Sequence, residues 1–427
     1  MPFRFIHTAD IHLDSPLKSL ALRNPDLANL IGAATRTAFS RTVDLARDKQ
    51  VDALLIAGDL YDGAQTSMKT ALFLSAELAR LHEAGIKTFL IRGNHDAASR
   101  ITCELTLPDS VTTFSGRAEA VTLETDAPFD VAVHGISFNQ PHAPESLLDK
   151  FKPPVEGAIN IAMLHTSLGG APGHNPYAPC QPAELEAMGF DYWALGHIHQ
   201  RSVQCTKATI VMPGIPQGRD IGEAGAKSVN LVTISDDCSI TVKERVIAPA
   251  QFERVAIDLT GIEDWADMVA ALERALRAAR TEAVCDHLVA RLDLSGETPL
   301  AWRLRRDTDL LASEAEAIAG SIDGTWIDKV ANACRLPAGS ANTGEETSGA
   351  PVHELRALID EEILKSPSFR TQMADLANAL TSQLPGEVRA HLGEDEAARE
   401  ALLDALAAEG AEDVLARLQA VPGPEDE

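Results

Sequence analysis

No stretch of the 427-residue chain approaches the roughly 20 consecutive apolar residues of a membrane span, so none reads as a transmembrane helix. The N-terminal MPFRFIHTAD has no long apolar core, so no secretory signal is expected and the protein is expected in the cytoplasm. Cysteine is scarce. The six cysteines (Cys103, Cys180, Cys205, Cys238, Cys285 and Cys334) stand far apart and form no CxxC pair, which argues against a zinc ribbon or a disulfide frame and for free thiols. Basic residues are the second shortage: 37 Lys+Arg face 63 Asp+Glu, a net charge of −26. The deficit is uneven, −7 over residues 1–250, −6 over 251–335 and −13 over 336–427. The last segment is therefore a poor lane for a phosphate backbone, and on charge alone nucleic-acid binding anywhere needs bound metal ions or a basic partner.

Hydrophobic residues at 45% and charged residues at 23% are ordinary for a soluble globular protein, and the length calls for two or three domains. Residues 1–250 alternate short apolar runs with helical patterns. The runs are 3–7, 51–58, 86–91, 131–138, 159–164, 191–195, 209–212, 228–234 and 239–247. MKTALFLSAELARLHEAG reads as a helix stopped by Gly85. Strands alternate with helices first and become hairpin-like later, which predicts an α/β domain with mixed sheets. A second unit, 251–335, reads strand–helix–strand with Asp264 as an N-cap. Residues 336–351 read as a Gly/Ser/Thr/Pro linker, and 352–427 as a helical tail with apolar stripes.

What ends the strands is more specific than the strands themselves. The first run ends in Asp10 and His12, the second in Asp59 and Asp62, and the third in Arg92-Gly93-Asn94-His95-Asp96. The 159–164 run ends in His165, and the 191–195 run in His197 and His199. In open α/β sheets the carboxyl ends of the strands form the ligand crevice. Within D-x-H and H-x-H, extended spacing would put both side chains on one face, where they could share one ion. A lone D-x-H or strand-end His is usually structural; five such endings in order point to a metal or catalytic centre.

This ordered set, D-x-H, G-D-x-x-D, G-N-H-D, a lone His and G-H-x-H, resembles the calcineurin-like metallophosphoesterase superfamily. HTADIHLDSP, YAPC, FDYWALGHIH and MPGIPQGRDIGEAGAK are similar to its DNA repair exonuclease branch, the bacterial SbcD-like nuclease subunits, and within them the YhaO-like group. The resemblance implies a sandwich of two mixed β-sheets flanked by helices. A small α/β capping domain that contacts DNA and a helical C-terminal tail that docks on an SMC-like coiled-coil ATPase would follow. It also implies two divalent ions, one held by Asp10, His12, Asp59 and His199, the other by Asp59, Asn94, His165 and His197, with Asp59 bridging. His95 would be the catalytic imidazole that binds no metal. Ions about 3.5–4 Å apart can clamp the attacking and leaving oxygens of a phosphoester and activate a shared water. Mixed imidazole, carboxylate and amide donors suit Mn, Fe or Zn better than Mg or Ca, and manganese is the expected ion.

Around that core, Asp96 is read either as the carboxylate that orients the His95 ring or as a turn or helix-cap residue. Gly93 would let the backbone turn close to the ions. Asp62 reads as a turn residue or one behind the ligands. Arg219 and Lys227, in the loop PGIPQGRDIGEAGAK, could meet a phosphate backbone; the alternative is a plain Gly-rich hairpin. His7, His134, His142 and His174 read as structural or rim residues, and Tyr177 as a packed loop aromatic or a base-stacking ring. A dimer or the ATPase could supply the missing basic surface. Two rival functions remain: a phosphatase or cyclic-nucleotide phosphodiesterase acting on small molecules, which would need neither cap nor tail, and a non-enzymatic scaffold, which would be expected to have lost ligands.

Overall fold

The computed structural model describes residues 1–15, 24–61, 67–98, 107–169, 177–337, 350–383 and 396–418. Cys103, Asp62, His174 and most of the expected linker lie outside the described residues. Two compact units are present: residues 1–254 with 279–290 and 324–328, and residues 255–278 with 291–323 and 329–427.

The first unit holds two six-stranded sheets. The first sheet contains β1 (Phe3–Thr8), β2 (Ala53–Ala57), β3 (Lys87–Ile91), β4 (Val111–Thr113), β11 (Ser228–Ile234) and β12 (Ile240–Val246), in the order β12-β11-β1-β2-β3-β4. The second contains β5 (Glu119–Leu123), β6 (Asp130–Gly135), β7 (Ala158–His165), β8 (Tyr192–Gly196), β9 (Ser202–Cys205) and β10 (Thr209–Met212), in the order β5-β6-β7-β8-β10-β9. Both are mixed: β1 runs parallel to β2 and antiparallel to β11, and β6, β7, β8 and β10 are parallel between antiparallel edges.

The alternation of side chains along each strand explains the layers. Phe5, Leu55, Phe89, Ile161, Met163 and Tyr192 point between the sheets. Their neighbours Ile6, Leu54, Ile56 and Leu90 point outward, under the helices Pro25–Asp48 (α1) and Met68–Glu83 (α2). Ala162, Leu164, Trp193 and Leu195 line the other outer face. Both faces of the central strands are covered, so those strands read as unbroken apolar runs. Two histidines belong to this packing. His7 bonds across the sheets to the Tyr192 hydroxyl (3.0 Å) and to the Leu195 carbonyl (2.9 Å), and His134 bonds to Asn160 (2.9 Å).

A third sheet follows, ordered β13 (Ala250–Asp258), β14 (His287–Ser295), β15 (Thr325–Asn332). The helix Trp265–Glu282 (α4, after the short α3 at Pro182–Ala187) buries Met268, Ala271, Leu272 and Leu276, one helical stripe. Asp264 caps it, accepting from the Asp267 N–H at 2.9 Å.

The C-terminal region is helical: α7 (Ala350–Leu358), α8 (Pro367–Gln383) and α9 (Glu396–Leu418), preceded in the same unit by α5 (Ala301–Arg306) and α6 (Thr308–Gly320). Its apolar stripes divide. Ile359, Leu415 and Ala416 are buried, whereas Leu376, Leu380, Leu406, Val414 and Leu418 are at least half exposed. Some of its acids pair within the unit: Glu412 with Arg356, Asp413 with Arg305 and Asp404 with Arg370. No described helix is long and apolar enough to cross a membrane.

Candidate metal centre

β1, β2, β3, β7 and β8 bring their carboxyl ends to one edge of the sandwich. The chain then turns sharply. Asp10, His12, Asp59 and His197 have φ of 52°, 45°, 52° and 101°, in the left-handed region that side chains other than glycine rarely adopt. Such conformations cost of order 1–3 kcal/mol each and persist where the surroundings hold them. Here backbone bonds do so: the Asp10 N–H donates to the Gly58 carbonyl at 2.9 Å and the His12 N–H to the Asp59 carbonyl at 3.1 Å. Two glycines allow the crowding. A Cβ on Gly58 would lie 2.4 Å from His165 Nδ1, and one on Gly93 would lie 2.2 Å from Asp59 Oδ1. Gly93 thus serves through close approach; its φ is not left-handed.

Two donor clusters result. Asp10, His12 and His199 place ligand atoms within 4.8 Å of one another, and Asp59, His165 and His197 do the same. Extended H-x-H spacing would allow His197 and His199 to share an ion, whereas the family resemblance assigns them to different ions; in the structure the left-handed turn at His197 sends the two imidazoles to different clusters. Asp10 and His12 do share a cluster, through two left-handed residues and not through extended chain. Asn94 joins the second group, its Oδ1 3.0 Å from His165 Nε2, with Asp59 Oδ2 at 3.3 Å from the same nitrogen.

The chemistry of these contacts fits a cation. His165 Nδ1 lies 2.9 Å from the Ala57 carbonyl, so in the neutral ring the proton sits there and Nε2 presents a lone pair to two oxygen acceptors. His12 Nε2 faces His199 Nε2 at 3.2 Å. His199 Nδ1 lies 2.6 Å from Glu223 Oε1, which again leaves Nε2 as the lone pair. Acceptors converging on acceptors are what a bound positive ion reconciles, and a carboxylate or carbonyl behind a ligating histidine is the usual arrangement. Burial opposes protonation of His165, but Asp59 and Asp10 outweigh it and push the imidazole up to about 9. Burial likewise opposes ionisation of Asp59, but His165, His12 and His95 hold its carboxyl well below the usual range.

His95 stands beside both clusters. Its ring is edge-on to His12 at 4.9 Å between centroids, and its backbone N–H donates to Asp59 Oδ1 at 3.0 Å. Asp96 is fully buried, and its carboxylate accepts from three backbone N–H groups: Leu60 at 3.0 Å, Tyr61 at 3.1 Å and Gly93 at 3.1 Å. It thereby ties the loop after β2 to the loop after β3. Burial and the Asp59 charge push its carboxyl up to about 6.

A cavity of about 680 Å³ opens over the clusters, lined by Asp59, Asn94, His95, Tyr177, His197, His199, Arg219 and Lys227 among others. Tyr177 sets its ring edge against His197 at 5.1 Å. Lys227 Nζ donates to the Ala224 carbonyl at 2.7 Å. The Arg219 guanidinium is gripped by both oxygens of Glu223, Nη2 to Oε1 at 2.7 Å and Nε to Oε2 at 3.3 Å. Glu223 lies within MPGIPQGRDIGEAGAK, but no role for it is legible from the sequence. Only its place in GEAGAK, among glycines of a site-lining loop, could have drawn attention to it.

The calcineurin-like phosphoesterase family model matches residues 3–201, and the model for the middle domain of metallophosphoesterase YhaO matches 252–335. The chain is 28% identical over 208 residues to the DNA double-strand break repair protein Mre11 of Sulfurisphaera tokodaii, covering 47% of this chain and 50% of that one. It is 26% identical over 286 residues to the Mre11 of Saccharolobus solfataricus, covering 61% of this chain and 70% of that one. The uncharacterized metallophosphoesterase YhaO of Bacillus subtilis is 31% identical over 318 residues, 74% of this chain and 76% of that one. On that extent of match through both the phosphoesterase and the middle domain, the chain belongs to the YhaO group of the calcineurin-like metallophosphoesterases.

Proposed function

We propose that the protein is a manganese-dependent phosphodiesterase that hydrolyses DNA, as an exonuclease or also an endonuclease, and works in DNA repair as the nuclease subunit of a complex with an SMC-like ATPase. The observation that carries the reading is the pair of donor clusters, Asp10 with His12 and His199 and Asp59 with His165 and His197, together with a cavity lined by Asp59, His197, His199 and His95. The likeness to proteins named for DNA double-strand break repair supports DNA as the substrate class. A middle domain and a helical C-terminal region with exposed leucines have no evident use in a small-molecule esterase.

Asp10, His12 and His199 would hold one divalent ion, Asn94, His165 and His197 the other, with Asp59 between them. Bound there, such ions supply an activated water and offset charge on the phosphoryl oxygens. The chain's residues do the rest. Asn94 adds a neutral oxygen, which limits the negative charge facing a phosphate. His95 stands where an imidazole can donate a proton to the leaving sugar oxygen or steady charge on the phosphoryl group. Asp96 fixes the loop that carries both. Arg219 and Lys227 add positive charge to the cavity wall. Tyr177 presents an aromatic ring beside the second cluster.

Hydrolysis of linear duplex DNA, bis-p-nitrophenyl phosphate and cyclic nucleotides with Mn²⁺ tests the reading. Release of nucleotides from DNA ends is expected. Turnover of cyclic nucleotides alone would establish the small-molecule alternative.

A further inference from the structure

Glu223 ends a short turn, Ile221–Glu223, that Asp220 caps by accepting from the Gly222 N–H at 2.7 Å. Its side chain is largely buried and makes four contacts that define what it does. Oε1 lies 2.6 Å from His199 Nδ1 and 2.7 Å from Arg219 Nη2; Oε2 accepts from the Arg219 backbone N–H at 2.8 Å and from Nε at 3.3 Å. A carboxylate facing a guanidinium has only lone pairs to offer, so the hydrogen of the short bond to His199 belongs to Nδ1. A neutral imidazole carries one N–H. The proton placed on Nδ1 leaves Nε2 bare, and Nε2 is the atom turned toward His12 Nε2 at 3.2 Å in the Asp10 cluster.

Reading Asp10, His12 and His199 as a metal cluster, as above, we infer that Glu223 is the positioning residue that holds His199 in its ligating tautomer, with Arg219 as the clamp that aims Glu223. Without Glu223 the other tautomer is open to His199, and it would put a hydrogen where an ion must bind. The loop that reads as a phosphate contact from its sequence therefore does a second task, presenting an oriented ligand to one ion site. The other site is set differently: the backbone carbonyl of Ala57 performs the same service for His165, and no side chain can be mutated to remove it. The two sites should accordingly differ in their sensitivity to substitution at 223. Loss of such an outer partner typically weakens metal affinity about 10–100-fold.

Two measurements on the full chain test this. In metal-free wild-type protein, imidazole ¹⁵N–¹H correlation spectra should show His199 protonated on Nδ1; protonation on Nε2 would overturn the inference, whether or not any variant folds. Mn²⁺ titration of Glu223→Ala should show one site weakened about 10–100-fold and the other at wild-type affinity. Unchanged affinity at both sites, or equal weakening at both, would overturn it. Fewer than two ions in the wild type would instead refute the metal-centre reading, while the imidazole spectrum would still judge the tautomer.

Discussion

His12 Nε2 and His199 Nε2 face each other at 3.2 Å, although 187 residues of chain separate them. Two imidazole nitrogens gain little by meeting so closely unless one carries a proton or an ion lies beside both. The second group repeats the pattern, with His165 Nε2 turned to Asn94 and Asp59 oxygens. If Asp59 bridges the two ions, as proposed, Asp59→Ala should lose both ions, whereas His12→Ala should lose one. Elemental analysis after dialysis against Mn²⁺ measures this directly, and two ions retained by Asp59→Ala would show that Asp59 does not bridge.

His95 contributes its backbone N–H to Asp59 and leaves its ring at the cavity wall. His95→Asn keeps the backbone bond, so both ions and DNA binding should survive. Turnover on DNA should fall about 10²–10⁴-fold, the usual range for a proton-transferring side chain, which is roughly 3–5 kcal/mol of barrier. A nitrophenolate leaving group needs no proton. The loss on bis-p-nitrophenyl phosphate should therefore be much smaller if the ring is an acid, and equal if it steadies charge. A missing metal ion in His95→Asn would make the ring a ligand.

His7 links the sheets far from solvent, and burial pushes its pKa down to about 3 from an ordinary 6.5. The folded state therefore binds the proton less readily than the unfolded chain. Stability from this residue is full above about pH 6.5 and falls as pH drops from there toward 3, by up to about 1.4 kcal/mol per pH unit. His7→Gln can still donate to the Leu195 carbonyl and does not titrate. Urea unfolding of metal-free protein at several pH values should show that the variant, though less stable near neutrality, loses stability less steeply on acidification. Identical slopes would mean that His7 protonates in the folded state.

The proposed ATPase would dock on exposed apolar side chains of the C-terminal helices, Leu376, Leu380, Leu406, Val414 and Leu418 among them. Replacing Leu376 and Leu380 by Ser should abolish co-purification with the ATPase and leave hydrolysis of bis-p-nitrophenyl phosphate within about twofold, since changes at exposed positions rarely cost much stability. Undiminished co-purification would place the docking surface elsewhere.

Much of the fold was legible because its central strands are covered on both faces and read as apolar runs; β1, β2, β3, β7 and β8 all fall on such runs. The edge strands β4, β5 and β9 were not, because half-exposed edges of three to five residues carry no apolar signal. The residues ending the runs were legible as a set. Their partition is legible through the family resemblance and not through local spacing, which would let His197 and His199 share an ion; the left-handed turn at His197 separates them. Glu223 was invisible for a related reason. Its partner His199 is 24 residues away, and the pairing exists only once β8 and the following loop have folded together. In the tail, periodicity gave the helices but not which leucines find cover within the chain.

The central claim is a two-ion centre that hydrolyses DNA. Metal-free protein titrated with Mn²⁺, with bound ions and nucleotide release from linear DNA followed in the same samples, tests it most directly. Two ions bound at saturation are expected, with little hydrolysis at one equivalent and full hydrolysis only as the second site fills. Full activity with a single bound ion, or two bound ions with no cleavage of DNA, would contradict it.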